Sequence, residues 1–416
     1  MNKQLENIYK KIYLFLFGLL AFSISFYDRF AAIAIVLIMF TWLIEGKFKE
    51  KFRCVKENKF RQYILYFGAI YLIYLIGALY SKNQYYAYSD LQTMLSLVIF
   101  PLLFATIDEQ ILNQKKDKIL FYYIIGCVVT TVVLLIHSFT NFLESASMDE
   151  FFYGKLSWYH HASYLAMFLV FAIGILFFQI YRTDQKQSKK YQTLSSLLII
   201  YFSSFVMLLS SKAGIISLLI IFLCHIVYLT FSKKYIVSIS MLLIYSLSLW
   251  GSTTFLSVSS KRLSVAQQAI ESEDFDKSST ESTIERILIY RSALSIIKEN
   301  VLFGVGTGDA NNELLKFYKN SGYSGALDSK LNAHNQYLQT FIAIGLVGFL
   351  VLIAMLLIPF IQAIKQREAL YVLLLFLISF NLLFESMFER QAGVVFYSFF
   401  NGFFFFYMNN KKIADD

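Results

Sequence analysis

Apolar runs of about 15–25 residues recur along the whole chain, each long enough to cross a hydrocarbon layer of roughly 30 Å. That recurrence constrains the fold more than any motif. A backbone inside a bilayer must satisfy its own hydrogen bonds, and a helix does so within each segment. Only 16% of the 416 residues are charged and 57% are apolar, whereas a soluble protein carries roughly a quarter charged residues. The sequence therefore predicts an all-α, polytopic membrane protein.

The periodicity and run lengths predict about twelve transmembrane helices, beginning near Ile12, Phe30, Tyr63, Leu91, Ile119, Ala162, Thr193, Ile215, Tyr235, Gln336, Leu370 and Gly393. The connections alternate in charge. Most of the 37 Lys and Arg residues fall in one set, which includes the N-terminus, 46–62, 108–118, 182–190, 232–234, 361–368 and the C-terminal tail. Basic connections stay in the cytoplasm, so both termini are expected there, with the sparse connections outside. The net charge of +9 then reads as an orientation signal plus attraction to anionic lipid, and no nucleic-acid partner is expected. Of the cysteines, Cys54 lies in a basic loop and Cys127 and Cys224 in apolar runs, a pattern that predicts neither a disulfide nor a metal site. The first apolar run has no small-residue cleavage site, so no signal peptide is expected.

One connection, about 256–335, is far larger than the rest. It divides the chain into an N-terminal membrane bundle (1–255), the outer loop (256–335) and a C-terminal bundle (336–416). A shorter outer loop, about 138–161, is rich in aromatics. Within the large loop, "ESTIERILIYRSALSIIKEN" places Ile284, Ile287, Leu288, Leu294 and Ile297 at helical spacing and predicts an amphipathic helix on the membrane surface. Ser282 and Glu285 fit a capping box. "NVLFGVGTGDANNELLKFY" follows: Gly304, Gly306 and Gly308 force a turn, and Asp309 is placed to cap a short helix. Such a turn before a helix can cradle phosphate, although it lacks the Lys-Ser/Thr of a nucleotide loop. With only two prolines and few charges at mid-depth, the spans are not expected to be broken as in ion-coupled transporters.

Polar side chains gather at the outer ends of the spans: Arg29, His160, His161, Lys212, Arg286, Arg291, His334, Glu385, Glu389 and Arg390. Each has a plainer reading. A Lys or Arg at a span end often snorkels to the interface. His225 reads as a hydrogen-bonded core histidine, His137 and His160 as interfacial. Arg286 and Arg291 are five residues apart, roughly 140° around a helix, so one of them is expected to be structural.

Three features resemble the O-antigen ligase and polymerase superfamily. The first is His334-Asn335, nine residues, Gly345, two residues and Gly348 at the end of the large loop. The second is the run from Arg286 through "ILIYRSALSIIKENVLFGVGTG", with Tyr290 where the family often has tryptophan. The third is the twelve-span plan with its outer loop between spans nine and ten. There is one departure. Family members often place an arginine in a serine-rich outer turn between spans seven and eight; this turn reads Ser210-Ser211-Lys212, and lysine lacks the bidentate fork that suits a phosphate.

The resemblance implies a metal-independent, cofactor-free transferase in the bacterial inner membrane, with its active face periplasmic. The donor would be a glycan on undecaprenyl pyrophosphate, and the acceptor a hydroxyl of lipid A–core or of another glycan or protein. His334 is then the candidate general base, because an imidazole titrates near neutrality. Arg286 is the candidate that stabilises the leaving pyrophosphate. Lys212, Arg291, His161 and Asn335 are candidates for substrate contact. The short second outer loop favours a ligase over a polymerase, the near alternative; transfer to a protein acceptor, as by an O-oligosaccharyltransferase, is a further alternative. A lipid-linked glycan transporter would show a polar pathway at mid-depth, where His225 stands nearly alone.

Overall fold

The computed structural model describes residues 3–56, 58–107, 109–181, 188–235, 239, 242 and 282–415. The helices are α1 (Lys3–Phe26), α2 (Asp28–Glu45), α3 (Phe48–Lys56), α4 (Asn58–Tyr80), α5 (Gln84–Met94), α6 (Ser96–Thr106), α7 (Glu109–Ser145), α8 (Tyr153–Leu156), α9 (Ala162–Tyr181), α10 (Lys189–Leu208) and α11 (Lys212–Phe231). They continue with α12 (Ser282–Glu299), α13 (Ala310–Ser321), α14 (Ser324–Asp328), α15 (Gln336–Lys365), α16 (Ala369–Asn381) and α17 (Gln391–Asp415). No strand occurs among the described residues. The chain is an all-α polytopic membrane protein.

Every expected span start is helical, Tyr235 of the ninth included; nearly all the rest of that ninth span, and the loop residues 256–281, lie outside the described residues. Seven of the described helical segments are long and apolar enough by themselves to cross a bilayer, and Tyr66–Tyr80 and Ala369–Asn381 form shorter apolar segments. Large apolar side chains stand exposed along the bundle's outside, among them Ile33, Val36 and Phe40 of α2. Exposure on that scale suits a surface bathed in lipid.

The bundle centre is set by helices that are apolar all round, the pattern of a helix enclosed on every side. In α9, residues Tyr164 to Phe177 are buried without interruption. In α17, Phe396, Phe399, Phe400, Phe403, Phe404 and Phe406 are buried, and their rings interlock with Tyr123 of α7 and Phe171 of α9. Centroid separations near 5–6 Å are those of offset and edge-on aromatic pairs.

Three expectations change. First, α7 continues to Ser145, so the aromatic outer loop is shorter than expected and holds only α8 and one 3-10 turn. Second, α12 does not simply lie on a membrane surface. Ile284, Leu288, Ile289, Ala293, Ile296 and Ile297 are buried and the helix packs on α13 and α15, while Leu294 points outward. Third, one span is broken. Ile344 (φ −132°, ψ 19°) and Gly345 (φ 67°, ψ −163°) interrupt α15. The break strands backbone groups that helix would pair, and the glycine turn takes them up. Val305 N–H donates to Ile342 O (2.8 Å), Gly306 N–H to Ala343 O (2.9 Å), and Leu346 N–H to Val301 O (2.8 Å). The periodic apolar sequence conceals this break because both halves carry the same pattern.

The same turn grips the α4–α5 corner. Thr307 Oγ1 donates to Tyr74 O (2.6 Å), and Gly308 N–H donates to Ser81 Oγ (3.1 Å). Asp309 does not cap α13 with its side chain. Its carboxylate accepts from the N–H groups of Lys82 (2.6 Å) and Asn83 (2.9 Å), ahead of α5. Every amide from Gly304 to Asp309 donates within the protein, so the turn has no free N–H row with which to cradle phosphate. Asp309→Ala is expected to cost about 1–3 kcal/mol, the penalty of orphaned donors, measurable as a lower thermal midpoint of the detergent-solubilised protein. Asp309→Asn, which retains one acceptor, should lose less.

Candidate functional site

At one end of the bundle the connection between α16 and α17 runs beside the entrance to α15, and Gln336 fixes the two together. Gln336 is fully buried; its N–H donates to Leu382 O (2.8 Å) and its Oε1 accepts from Phe388 N–H (2.7 Å). Glu385 and Glu389 are thereby held against the residues preceding α15. The amide side chains there are framework groups. Asn335 caps α15, accepting from Leu338 N–H (3.1 Å). Asn332 Nδ2 donates to Glu389 Oε2, with Asn311 and Gln339 donating to Oε1. Asn332 Oδ1 accepts the N–H of His334 (3.0 Å).

His334 itself has φ +44°. A non-glycine residue in that left-handed region is uncommon and carries a strain of roughly 1–2 kcal/mol. The strained backbone delivers the ring to Glu385: Nδ1 stands 3.4 Å from Oε2. The other oxygen, Oε1, lies 3.6 Å from Nη2 of Arg286 and accepts from Ser163 Oγ (3.3 Å). Ser211, which caps α11 by accepting from Gly214 N–H, donates in turn to Ser163 (3.2 Å). One carboxylate thus joins the large loop, the mouth of α15, the start of α9 and the start of α11.

The electrostatics follow. The Glu385 side chain is 9% exposed, against 25% for His334 and 31% for Arg286. Burial alone would raise the Glu385 carboxyl, but His334, His161 and Arg286 outweigh it and hold it below its usual range. Burial raises the Glu389 carboxyl, opposed by its amide donors. Burial lowers His161, opposed by the charge of Glu385. The Nδ1 of His161 is buried and has no hydrogen-bond partner.

Of the residues expected from sequence, the structure brings Arg286, His334 and His161 around Glu385. Lys212 and Arg291 are exposed, Lys212 next to the Ser211 cap and Arg291 well round α12 from Arg286. Asn335 is engaged in capping. His160 closes the end of α1, its Nε2 2.8 Å from Ser25 O and 3.1 Å from Phe26 O. Glu385 is the group that sequence reasoning saw but did not place in the site. Its signal is there in "FESMFER": acids between two apolar runs are expensive near a bilayer and mark function more often than packing.

Residues 194–353 match the O-antigen ligase family, which places this segment in the O-antigen ligase-like superfamily. The matched residues include Lys212, Arg286, Arg291, His334 and Asn335, and stop short of Glu385. No curated protein matches the chain. That match supports an O-antigen ligase/polymerase-family function, that of a glycosyltransferase-like enzyme in a bacterial membrane, and the family implies in general a lipid-linked glycan donor and a glycan acceptor.

Proposed function

We propose that this protein is the ligase member of that class. It moves a glycan from undecaprenyl pyrophosphate to a hydroxyl of lipid A–core at the outer face of the inner membrane. The observation that carries the proposal is the shared carboxylate: Glu385 contacts His334 on one oxygen and Arg286 on the other. With Nδ1–H turned to the carboxylate, Nε2 of His334 carries the lone pair and takes the proton of the acceptor hydroxyl. The acceptor oxygen forms a bond to the anomeric carbon as that carbon's bond to the pyrophosphate breaks. The pyrophosphate leaves with the electron pair and gains negative charge. A cation fixed at that place stabilises the transition state more than the ground state, a role for Arg286, with Lys212 and Arg291 as further cations at the outer face. Glu385 stabilises the imidazolium formed at His334. His161, with an unpartnered ring nitrogen beside the same carboxylate, suits a contact to substrate.

Glu385→Gln preserves size and removes the charge. Transfer should fall roughly 10²-fold, within the range of positioned acid–base catalysis, at unchanged protein level. The acid limb of stability should change as well. Because the folded Glu385 carboxyl is held below its ordinary value, its stabilisation is complete above the unfolded value and is lost as pH falls through the lowered folded value. The glutamine variant should lack that loss. Equal acid denaturation of the two proteins would contradict the pairing.

The lipid profile of a strain lacking the gene tests the ligase assignment. Loss of a ligase leaves long glycan on the carrier lipid. Loss of a polymerase leaves a single repeat unit attached to the acceptor, and that outcome would reject the assignment.

A further inference from the structure

A second cavity lies away from His334. The C-terminal halves of α9 and α11, the start of α7, the turn between α15 and α16, the first residues of α16 and Tyr407 of α17 surround a cavity of about 540 Å³. That volume lies within the roughly 300–1,000 Å³ of small-molecule sites. It is amphiphilic. Phe177, Ile221 and Leu373 line the part nearer mid-membrane, while Lys116, Arg367 and Glu368 line the end.

The charges at that end do not cancel. Lys116 pairs with Glu368 at 3.7 Å and lies 4.1 Å from the Tyr407 ring centroid. Arg367 sits in the turn between α15 and α16 with φ +57°. Its side chain is exposed and makes no ion pair among the described residues. A guanidinium unmatched beside an apolar slot suits a phosphate ester carrying hydrocarbon. A second, independent feature lies deeper. His225 was expected to be a hydrogen-bonded core histidine, but it stacks on Phe177 at 3.8 Å and its buried Nε2 has no hydrogen-bond partner. It lines the cavity and is only 8% exposed. A buried polar atom on a residue that lines this space lacks the partner that such atoms ordinarily have.

We propose that this cavity binds a membrane glycerophospholipid, its phosphate at Arg367 and Lys116, its glycerol oxygens within reach of His225, and its hydrocarbon along α9 and α11. The positive-inside pattern of the connections at this end places it in the cytoplasmic leaflet, where anionic lipid concentrates. The site is independent of the chemistry at His334.

Cys224 lines the cavity and is solvent-exposed, whereas Cys127 is buried, so Cys224 reports on occupancy. In a Cys54→Ser background, maleimide labelling of the full-length protein in uncharged maltoside detergent should slow at least about fivefold when phosphatidylglycerol is added. Arg367→Gln should cut that protection to less than twofold, Arg367→Lys should retain most of it, and His225→Phe, which keeps the stack, should weaken it. Inorganic phosphate or diacylglycerol at the same concentration should not protect. Labelling unaffected by phosphatidylglycerol, protection unchanged in Arg367→Gln, or equal protection by diacylglycerol or by phosphate alone would overturn the assignment. Circular dichroism of each variant shows that a lost effect is not lost folding.

Discussion

Replacing His334 with alanine should reduce glycan transfer by roughly 10²–10⁴-fold, the contribution of a positioned proton acceptor, while the protein still inserts and accumulates. The residual rate reflects the remaining cations and substrate positioning. Since His334 occupies the left-handed region (φ +44°), alanine there retains the strain. His334→Asn is the better control for folding, because asparagine tolerates that conformation and has no titratable nitrogen. Both variants should show that reduction and both should fold. Arg286→Ala should also abolish most transfer, and Arg286→Lys should keep part of it if charge outweighs the two-pronged geometry. Measuring transfer in membranes at matched protein levels separates these outcomes.

Gly345→Ala should be among the most destabilising single substitutions in the chain, costing on the order of 3–5 kcal/mol. Two causes act together. The backbone angles, φ 67° and ψ −163°, are essentially confined to glycine. An added Cβ would also lie 2.3 Å from Leu302 O and 2.5 Å from Phe303 N, both backbone atoms of the facing turn. That turn cannot retreat without surrendering the hydrogen bonds that close the break in α15. Gly348→Ala provides the contrast. Its Cβ would meet the side chain of Ile344 within the same helix, and a rotamer change can relieve much of it. Size-exclusion profiles and thermal midpoints in detergent should rank Gly345→Ala far below Gly348→Ala. Equal behaviour would mean that the break is not a constraint on folding.

The two glycines show what a linear sequence conveys and what it hides. Their three-residue spacing reads as close helix packing. In the fold Gly345 is approached by the backbone of a turn forty residues earlier in the chain, and Gly348 by its own helix. Nothing local marks the break, because the apolar pattern runs through it. Asp309 was misread for the same reason. It stands where a cap for α13 is expected, but two backbone donors from the α4–α5 corner, more than 220 positions away, claim its carboxylate. The apolar runs themselves were legible, since the bilayer imposes length and composition on each segment separately. So was the collection of His334, Arg286 and His161 at one depth, because a span end fixes depth. The identity of the group that joins them was not. Glu385 is 51 residues from His334, and long-range bonds such as those of Gln336 to Leu382 and Phe388 bring their elements together. Asn335 read as a candidate for substrate contact; the structure gives it, like Asn332 and Gln336, framework bonds and leaves the imidazole facing a carboxylate.

The central claim is that this outer-face cluster transfers a glycan and does not merely pass a lipid across the bilayer. The most direct measurement uses purified protein in liposomes with a lipid-linked glycan donor and a lipid A–core acceptor, following both glycan attached to acceptor and carrier pyrophosphate freed of sugar. The wild type should form the two products in equal amounts and His334→Ala only the small residue of each that its reduced rate allows, with most donor remaining intact. Movement of donor between leaflets without any transfer, or equal transfer by the alanine variant, would contradict the account.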